Sequence, residues 1–299
     1  MPVTAVDPYV VSSDTSLDAL VDEVLDLLGA ADVDNVATLS AGVDADATTL
    51  ALDSVANISR CLIEVDHELM LVQSVDPVSA TATLFPSGRG YRGTAKAPHA
   101  SGTIVTIRPA ISRSAVIREI NNEINELFPS IMAPTVIEGN VSMSGWVEIP
   151  AGTSAVLDVM ALYDTEWQRV RSWEAQKGAS ADISATGRAV RVPTVTWGNT
   201  VRVTVGNAPT AFTTSTQSWS NTGLPISTKS LVLLGAANRL LPAFDAYRLT
   251  LQKVEEQSSP SVGPASMLNR ELRARYRERL ASEQEAFFSQ YPVRIHFTQ

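Results

Sequence analysis

Apolar positions recur three and four apart over "TSLDALVDEVLDLL", residues 15–28, and place Leu17, Leu20, Val21, Val24, Leu27 and Leu28 on one stripe. That is the period of an amphipathic helix. Thr15 and Asp18 fit a capping pattern at its start, and Gly29 suits its end. From 36 to 108 the period becomes two. "RCLIEVDHELMLVQSV" reads as strand, turn at Asp66-His67, strand; Asp76-Pro77 predicts another turn, and "SATATLF" and "GTIVTIR" two further strands. Residues 114–128 return to helical spacing, with Ile117, Ile120, Ile124 and Leu127 on one face.

A second β region covers 135–226. "VSMSGWVEI", "AVLDVMALY", "EWQRVRSWEA", "RAVRVPTVTW" and "TVRVTVGNA" are short alternating strands, and Gly198-Asn199 suits a two-residue hairpin turn. The regular strand spacing predicts a β-sandwich. Beyond it, Leu233, Ala237, Leu240, Phe244, Tyr247, Leu251 and Val254 step by four and three, with Pro242 expected to kink or restart the helix. A loop, "QSSPSVGPAS", leads to a last helix over 265–289, where Leu268, Leu272, Tyr276 and Leu280 are spaced by four. No helix has partners within its own segment for its stripe. The expected fold is therefore α+β, a four-helix bundle core with two β inserts: a small β-barrel-like domain and a β-sandwich.

The expected domains are an N-terminal arm and bundle helix (1–35), a small β domain (36–110), a bundle helix (111–134), the sandwich insert (135–228), two C-terminal bundle helices (229–291) and a tail (292–299). In the tail, Val293, Ile295 and Phe297 fall on one side and Arg294, His296 and Thr298 on the other, at strand period. A lone strand this short must add to a sheet, either its own or a neighbour's.

Composition narrows the function. The 299 residues are 44% apolar and 18% charged, a globular balance. No apolar run reaches the roughly eighteen residues that would span a membrane, and "MPVTAVDPYVV" does not read as a signal peptide. One cysteine, Cys61, excludes disulfide frameworks and zinc ribbons and reads as a small buried hydrophobe. The net charge of −9 argues against a general DNA-binding surface. Residues 1–68 hold fourteen acidic groups and one basic one; residues 86–118 hold six basic groups and no acidic ones. This reads either as two solvated surfaces or as complementary faces of a stacking molecule.

The segment "SGRGYRGTAKAPHASG" contains Gly88, Gly90 and Gly93 in the G-x-G-x-x-G pattern of a dinucleotide turn. Such a turn needs a helix starting at its third glycine. Pro98 and Gly102 leave no room for one, so a loop between strands is expected and no cofactor is implied. "EVDHE", Glu64–Glu68, reads as a metal site or an exposed turn. His99 reads as a structural loop contact or an interface residue. None of the three histidines, His67, His99 and His296, has a nucleophile and orienting partner in reach on sequence evidence. Five tryptophans, Trp146, Trp167, Trp173, Trp197 and Trp219, concentrate in the sandwich, as core or as a sugar-binding platform.

Ile63 through Glu68, Met70 and Val72, followed by Arg89-Gly90, Gly93-Thr94, Ala95, His99, Gly102 and Val105, resemble a small β domain common in virion proteins of tailed phages. Arg92 falls in the same loop. "LVLLGAANRLL" and an arginine-rich helix running into "YPVRIHF" resemble phage neck proteins, and "WQRVRSW" resembles their sandwich strands. The resemblance implies a non-enzymatic head-to-tail connector: a homo-oligomeric ring, expected to be dodecameric, in the virion neck between capsid and tail and assembled in the host cytoplasm. Its partners would be the portal, other neck or tail proteins and itself, with DNA passing through without specific binding and no membrane. Val293, Arg294, Ile295, His296 and Phe297 would then dock on the portal or a neighbouring subunit. The other readings are a tail or baseplate component and a carbohydrate-binding module of a receptor-binding protein.

Overall fold

A computed structural model describes residues 15–30, 35–255, 265–292 and 295–297. In chain order the elements are α1 (Leu17–Leu28), β1 (Asn35–Thr38), β2 (Thr49–Ala51), β3 (Leu62–Val65), β4 (Glu68–Asp76), β5 (Thr81–Leu84), β6 (Ile104–Ile107), α2 (Arg113–Leu127), β7 (Ala133–Asn140), β8 (Trp146–Glu148), β9 (Ala155–Tyr163), β10 (Glu166–Arg169), β11 (Glu174–Lys177), β12 (Arg188–Arg191), β13 (Thr200–Asn207), α3 (Lys229–Glu255), α4 (Ala265–Gln290) and β14 (Ile295–His296). The chain divides into two compact units. One comprises Leu17–Glu123 and Val232–Tyr276; the other comprises Met1–Ser16, Ile124–Leu231 and Arg277–Gln299.

In the first unit six antiparallel strands run in the order β1-β6-β3-β4-β5-β2. The two ends of this sheet meet at a bridge between Leu39 and Leu52, so it curls toward closure. Alternation puts Leu39, Leu50, Ile63, Val65, Met70, Val72, Ala82, Leu84, Val105 and Ile107 inside, with Cys61 beside them. In the second unit β10-β9-β13-β7 form one sheet and β11-β12-β8 another. Their shared core is Val141, Val147, Val156, Val159, Val170, Val190, Val192, Val195, Val201, Val203 and Val205 with Ile149 and Ala161. Side chains branched at Cβ are stiff at χ1 and pack well on a pleat, which is why so valine-rich a stretch becomes sheet.

A four-helix bundle core is not the architecture. Among the described residues three sheets make up most of the framework, and four helices accompany them. Each β region encloses a complete core of its own, so neither hangs from a bundle as an insert. The helical stripes do not force a bundle either, because a helix can bury its stripe on a sheet and its turns. Asp18 of α1 reaches His67 in the β3–β4 turn, and Asp22 reaches Arg113 at the start of α2.

Local readings shift with packing. Leu25, not Leu27, is buried on α1, and Val116 replaces Ile117 on the buried face of α2. "VSMSGWVEI" contributes only β8, and the strand before it, β7, starts at Ala133. "EWQRVRSWEA" is two strands in different sheets. Gly198 takes φ +82°, but Gly198-Asn199 does not make a hairpin: β12 pairs with β11 and β8, while β13 pairs with β7 and β9. Helix α3 continues through Pro242. Leu233, Ala237, Leu240 and Phe244 are buried as the spacing requires; the side chains of Tyr247, Leu251, Val254 and Leu268 lie outside the described residues.

The tail adds to its own sheet. Ile295 and His296 pair with Val156 and Ala155 of β9, the Phe297 amide donates to the Ser154 carbonyl at 2.9 Å, and the Phe297 ring packs on the valine core. Val293 and Arg294 lie outside the described residues. Any docking through this tail would therefore take it from an edge it already occupies.

Candidate functional site

The residues of the glycine-rich motif converge on one carboxylate. The turn at Asp66-His67, with Asp66 at φ +52°, sets Glu68 at the start of β4 with its side chain inside the unit. Arg89 approaches it from the loop after β5. Its Nε donates to Glu68 Oε1 at 2.7 Å and its Nη2 to Oε2 at 2.9 Å, a bidentate fork. The amides of Gly90 and Ala97 donate to the same carboxylate at 2.8 and 3.1 Å, and His99 Nε2 lies 3.0 Å from Oε2. On the other side of the ring, His99 Nδ1 lies 2.7 Å from Asp66 Oδ2.

Arg89 also closes the neighbouring loop. Its Nη1 donates to the carbonyls of Asp44 and Ala47 at 2.6 and 3.3 Å, and Nη2 to that of Ala97 at 2.6 Å. The backbone of His99 exchanges two bonds with Val43 at 2.8 Å. Thr94 Oγ1 accepts from the Leu69 amide at 3.0 Å and donates to the Tyr91 carbonyl at 3.1 Å. Glu68 and His99 have side chains only 1% and 2% exposed. Burial alone would raise the Glu68 carboxyl; the donors from Arg89, His99, Ala97 and Gly90 overcome it and hold it at about 2.

The glycines serve close approach and turning. A Cβ on Gly88 would come 2.6 Å from the Leu71 carbonyl and 2.9 Å from both Phe85 N and O. Gly90 takes φ +61°, and its Cβ would sit 2.8 Å from the Thr94 carbonyl. After Gly93 the chain goes extended at Thr94, so no helix N-terminus is offered to a pyrophosphate. Gly102, at φ +85°, donates its amide to the Leu39 carbonyl at 2.7 Å.

At the "EVDHE" turn Asp66 is exposed, while Glu64 and Glu68 on either side are buried. Among the described residues no group of three or more His, Cys, Asp or Glu is placed to hold a metal ion. Asp66 and Glu68 share His99, while Glu64 and His67 point at other segments. Glu64, buried, accepts the Arg113 amide at 3.0 Å at the start of α2, where a carboxylate complements the helix dipole. His67 Nε2 is 2.6 Å from Asp18 Oδ1 on α1. Burial pulls the His67 imidazole below its usual value, against the opposing pull of Asp18.

The basic groups of the stretch 86–118 divide between paired and exposed. Arg89 is sealed in the clasp, Arg113 pairs with Asp22 and Asp18, Arg118 with Glu119, and Arg108 donates to Ser59. Arg92 and Lys96 stay exposed. A further buried carboxylate, Glu123 of α2, accepts from Tyr276 of α4 at 2.7 Å and pairs with Arg239 of α3 at 3.2 Å. Sequence reasoning missed it because a glutamate on a helix spaced among isoleucines reads as the solvent side.

The tryptophans divide. Trp219 is buried, Trp167 is half-buried with the Arg202 guanidinium 4.2 Å from its ring centroid, and Trp146 and Trp173 are half-buried. Trp197 alone of the five is exposed. The fold and site together define a two-unit, predominantly β protein whose densest polar cluster is closed to solvent. No family model matches the chain, and no curated protein matches it. No described helix is long and apolar enough to cross a membrane.

Proposed function

We propose that this chain is a structural protein of a tailed-phage virion, a ring-forming connector between portal and tail, in whose ring DNA passes without specific binding. The observation that carries the reading is the Glu68–Arg89–His99 clasp. The residues that resemble a virion β domain spend their charged and hydrogen-bonding groups on one another and on the loops they join. A sealed, fully bonded cluster supports a load-carrying fold; it offers no nucleophile, no activated base and no surface for a substrate.

Electron microscopy of the chain mixed with purified portal tests the reading. Rings of the chain stacked on portal are the expected result, with negligible retention of duplex DNA at moderate salt. A chain that stays monomeric or trimeric beside portal, or that binds duplex tightly and salt-sensitively, overturns it.

A further inference from the structure

Strand β7 has a bare edge. All eight of its residues, Ala133–Asn140, pair in straight register with β13, and the order β10-β9-β13-β7 puts its other side at the rim of the sheet. The Val141 amide donates to Asn199 O at 3.0 Å and its carbonyl accepts from Gly198 N at 2.9 Å, so Val141 turns both backbone groups toward the β13 side. Successive residues of an antiparallel strand alternate the side to which they turn these groups. Counting back by twos, Gly139, Ile137 and Thr135 also face β13, while Asn140, Glu138 and Val136 turn their amides and carbonyls outward. Those outward groups meet no backbone partner among the described residues.

The edge is poorly guarded. It has no lysine and no bulge toward β13, its one charged residue, Glu138, is held by Arg202 at 2.6 Å, and Pro134 removes only one outward amide. Beside it Val136 is 54% exposed. A long, straight edge of this kind is a template for a further strand. The segment that enters next to it is 1–14, "MPVTAVDPYVVSSD", which joins the described chain at Thr15. The Thr15 carbonyl accepts from the Trp219 amide at 2.9 Å, and Ser16 bridges Ser218. One short turn, Trp219–Thr222, then leads to Gly223, where a Cβ would lie 3.0 Å from the Cβ of Ala133, the first residue of β7. Fourteen extended residues reach about 46 Å, and the edge is about 27 Å long. The other candidates are engaged elsewhere: the stretch after α4 pairs with β9, and 31–34 and 256–264 join elements of the other unit.

We propose that residues 9–11 add to the outer edge of β7 in the same molecule, antiparallel to it, with Val11 opposite Val136 and Tyr9 opposite Glu138. The direction follows from the entry point, since a segment that reaches Thr15 at the Ala133 end comes from the Asn140 end. The side follows from Pro8. Proline in a strand sits where its missing N–H faces away from the neighbour, which turns the amides of Tyr9 and Val11 toward β7. The offset matches Ser12 to Asp14 with the three residues from Thr135 back to Ala133. Tyr9, Val10 and Val11 are all strand formers. Val11 then covers Val136, and Val10 falls on the side of Ile137, which packs on the valine core. Main-chain bonds hold the added strand, and the edge that would recruit a strand from another molecule is closed. The inference stands apart from the connector reading.

Backbone amide exchange in the full chain, without portal, tests it. The Val136 and Glu138 amides should exchange at least about tenfold more slowly in the native chain than in Val11→Pro or after deletion of residues 2–11, while the amides of β9 and β13 keep their protection in all three. In a second measurement, Val11→Cys combined with Val136→Cys should close a disulfide within one chain under mild oxidation, and neither single variant should. Equal exchange at Val136 and Glu138 in the three proteins overturns the inference, whether both amides are fast throughout or stay protected by another occupant after the deletion. A disulfide that joins two copies overturns it as well, by placing the segment on a neighbour. A chain that shows the protection and the internal disulfide but ignores portal keeps this inference and loses the connector reading.

Discussion

Nε2 of His99 lies 3.0 Å from Oε2 of Glu68, a residue 31 positions earlier in the chain, and the pair is closed from solvent. Around it a loop that spells a nucleotide-binding pattern becomes a clasp joining three stretches of chain. Removing one partner strands the others. Glu68→Gln should destabilise the full chain by about 3–5 kcal/mol, the range for breaking a buried ion pair. Arg89→Met should cost a similar amount, and the double variant clearly less than the sum. Denaturant unfolding of the three variants measures this, and additive losses would contradict a single clasp.

The same carboxylate sets an acid limit. Its value of about 2 in the folded chain lies below the ordinary 4.5, so its contribution is fully present above pH 4.5. As pH falls from 4.5 toward about 2, the unfolded chain takes up the proton first and stability is lost. A depression of that size corresponds to about 3 kcal/mol. Unfolding midpoints of the native chain should drop through this window, and those of Glu68→Gln should drop less.

Glycines of the loop should not be equivalent. Gly88→Ala meets the Leu71 carbonyl at 2.6 Å, and two backbone atoms of Phe85 close in with it. Gly93→Ala finds open space and carries only the strain of φ +81°, about 1–2 kcal/mol. Thermal melts should show the larger loss at position 88. Equal losses would mean that conformation alone, and not close approach, selects glycine there.

Gly235 reverses a familiar rule. Glycine to alanine inside a helix ordinarily gains about 1 kcal/mol. Here the new Cβ would fall 2.2 Å from Cδ of Glu123, which is buried and held by Tyr276 and Arg239. Gly235→Ala should therefore destabilise. In a Glu123→Ala background the same change should stabilise, and chemical denaturation of the four combinations reads out the reversal.

The tail should matter to the sandwich before any partner is added. Phe297→Ala removes a ring packed on the valine core and 5.2 Å from the Arg188 guanidinium. A loss of about 1–3 kcal/mol is expected for a partly buried aromatic. Deleting residues 295–299 should lower the melting temperature of the isolated chain further. A deletion that leaves the melt unchanged would free the tail for a role outside its own sheet.

The sequence by itself determined the elements that have a period. The stripe of α1, the β3–β4 turn at Asp66-His67, strands β3 to β6 and the buried heptad positions of α3 follow from spacing, because which side chains face inward is set by 3.6 or 2 residues per turn and needs no knowledge of the partner. The absence of a helix after Gly93 was also legible, from Pro98 and Gly102. Tertiary structure alone decided what those faces meet. Spacing cannot say whether a helical stripe lies on another helix or on a sheet, and so it suggested a bundle where two sheet-built cores form instead. It cannot say which strands pair, and so Gly198-Asn199 looked like a hairpin although β12 and β13 belong to different sheets. It cannot bring Glu68 to Arg89 and His99, or Arg89 to the carbonyls of Asp44 and Ala47, because hydrogen bonds across 21 to 45 residues depend on where the chain returns. For the same reason Arg89 and Arg113 counted as surface charge in the sequence. In the fold they are internal ties, since a guanidinium is buried only where a carboxylate already waits.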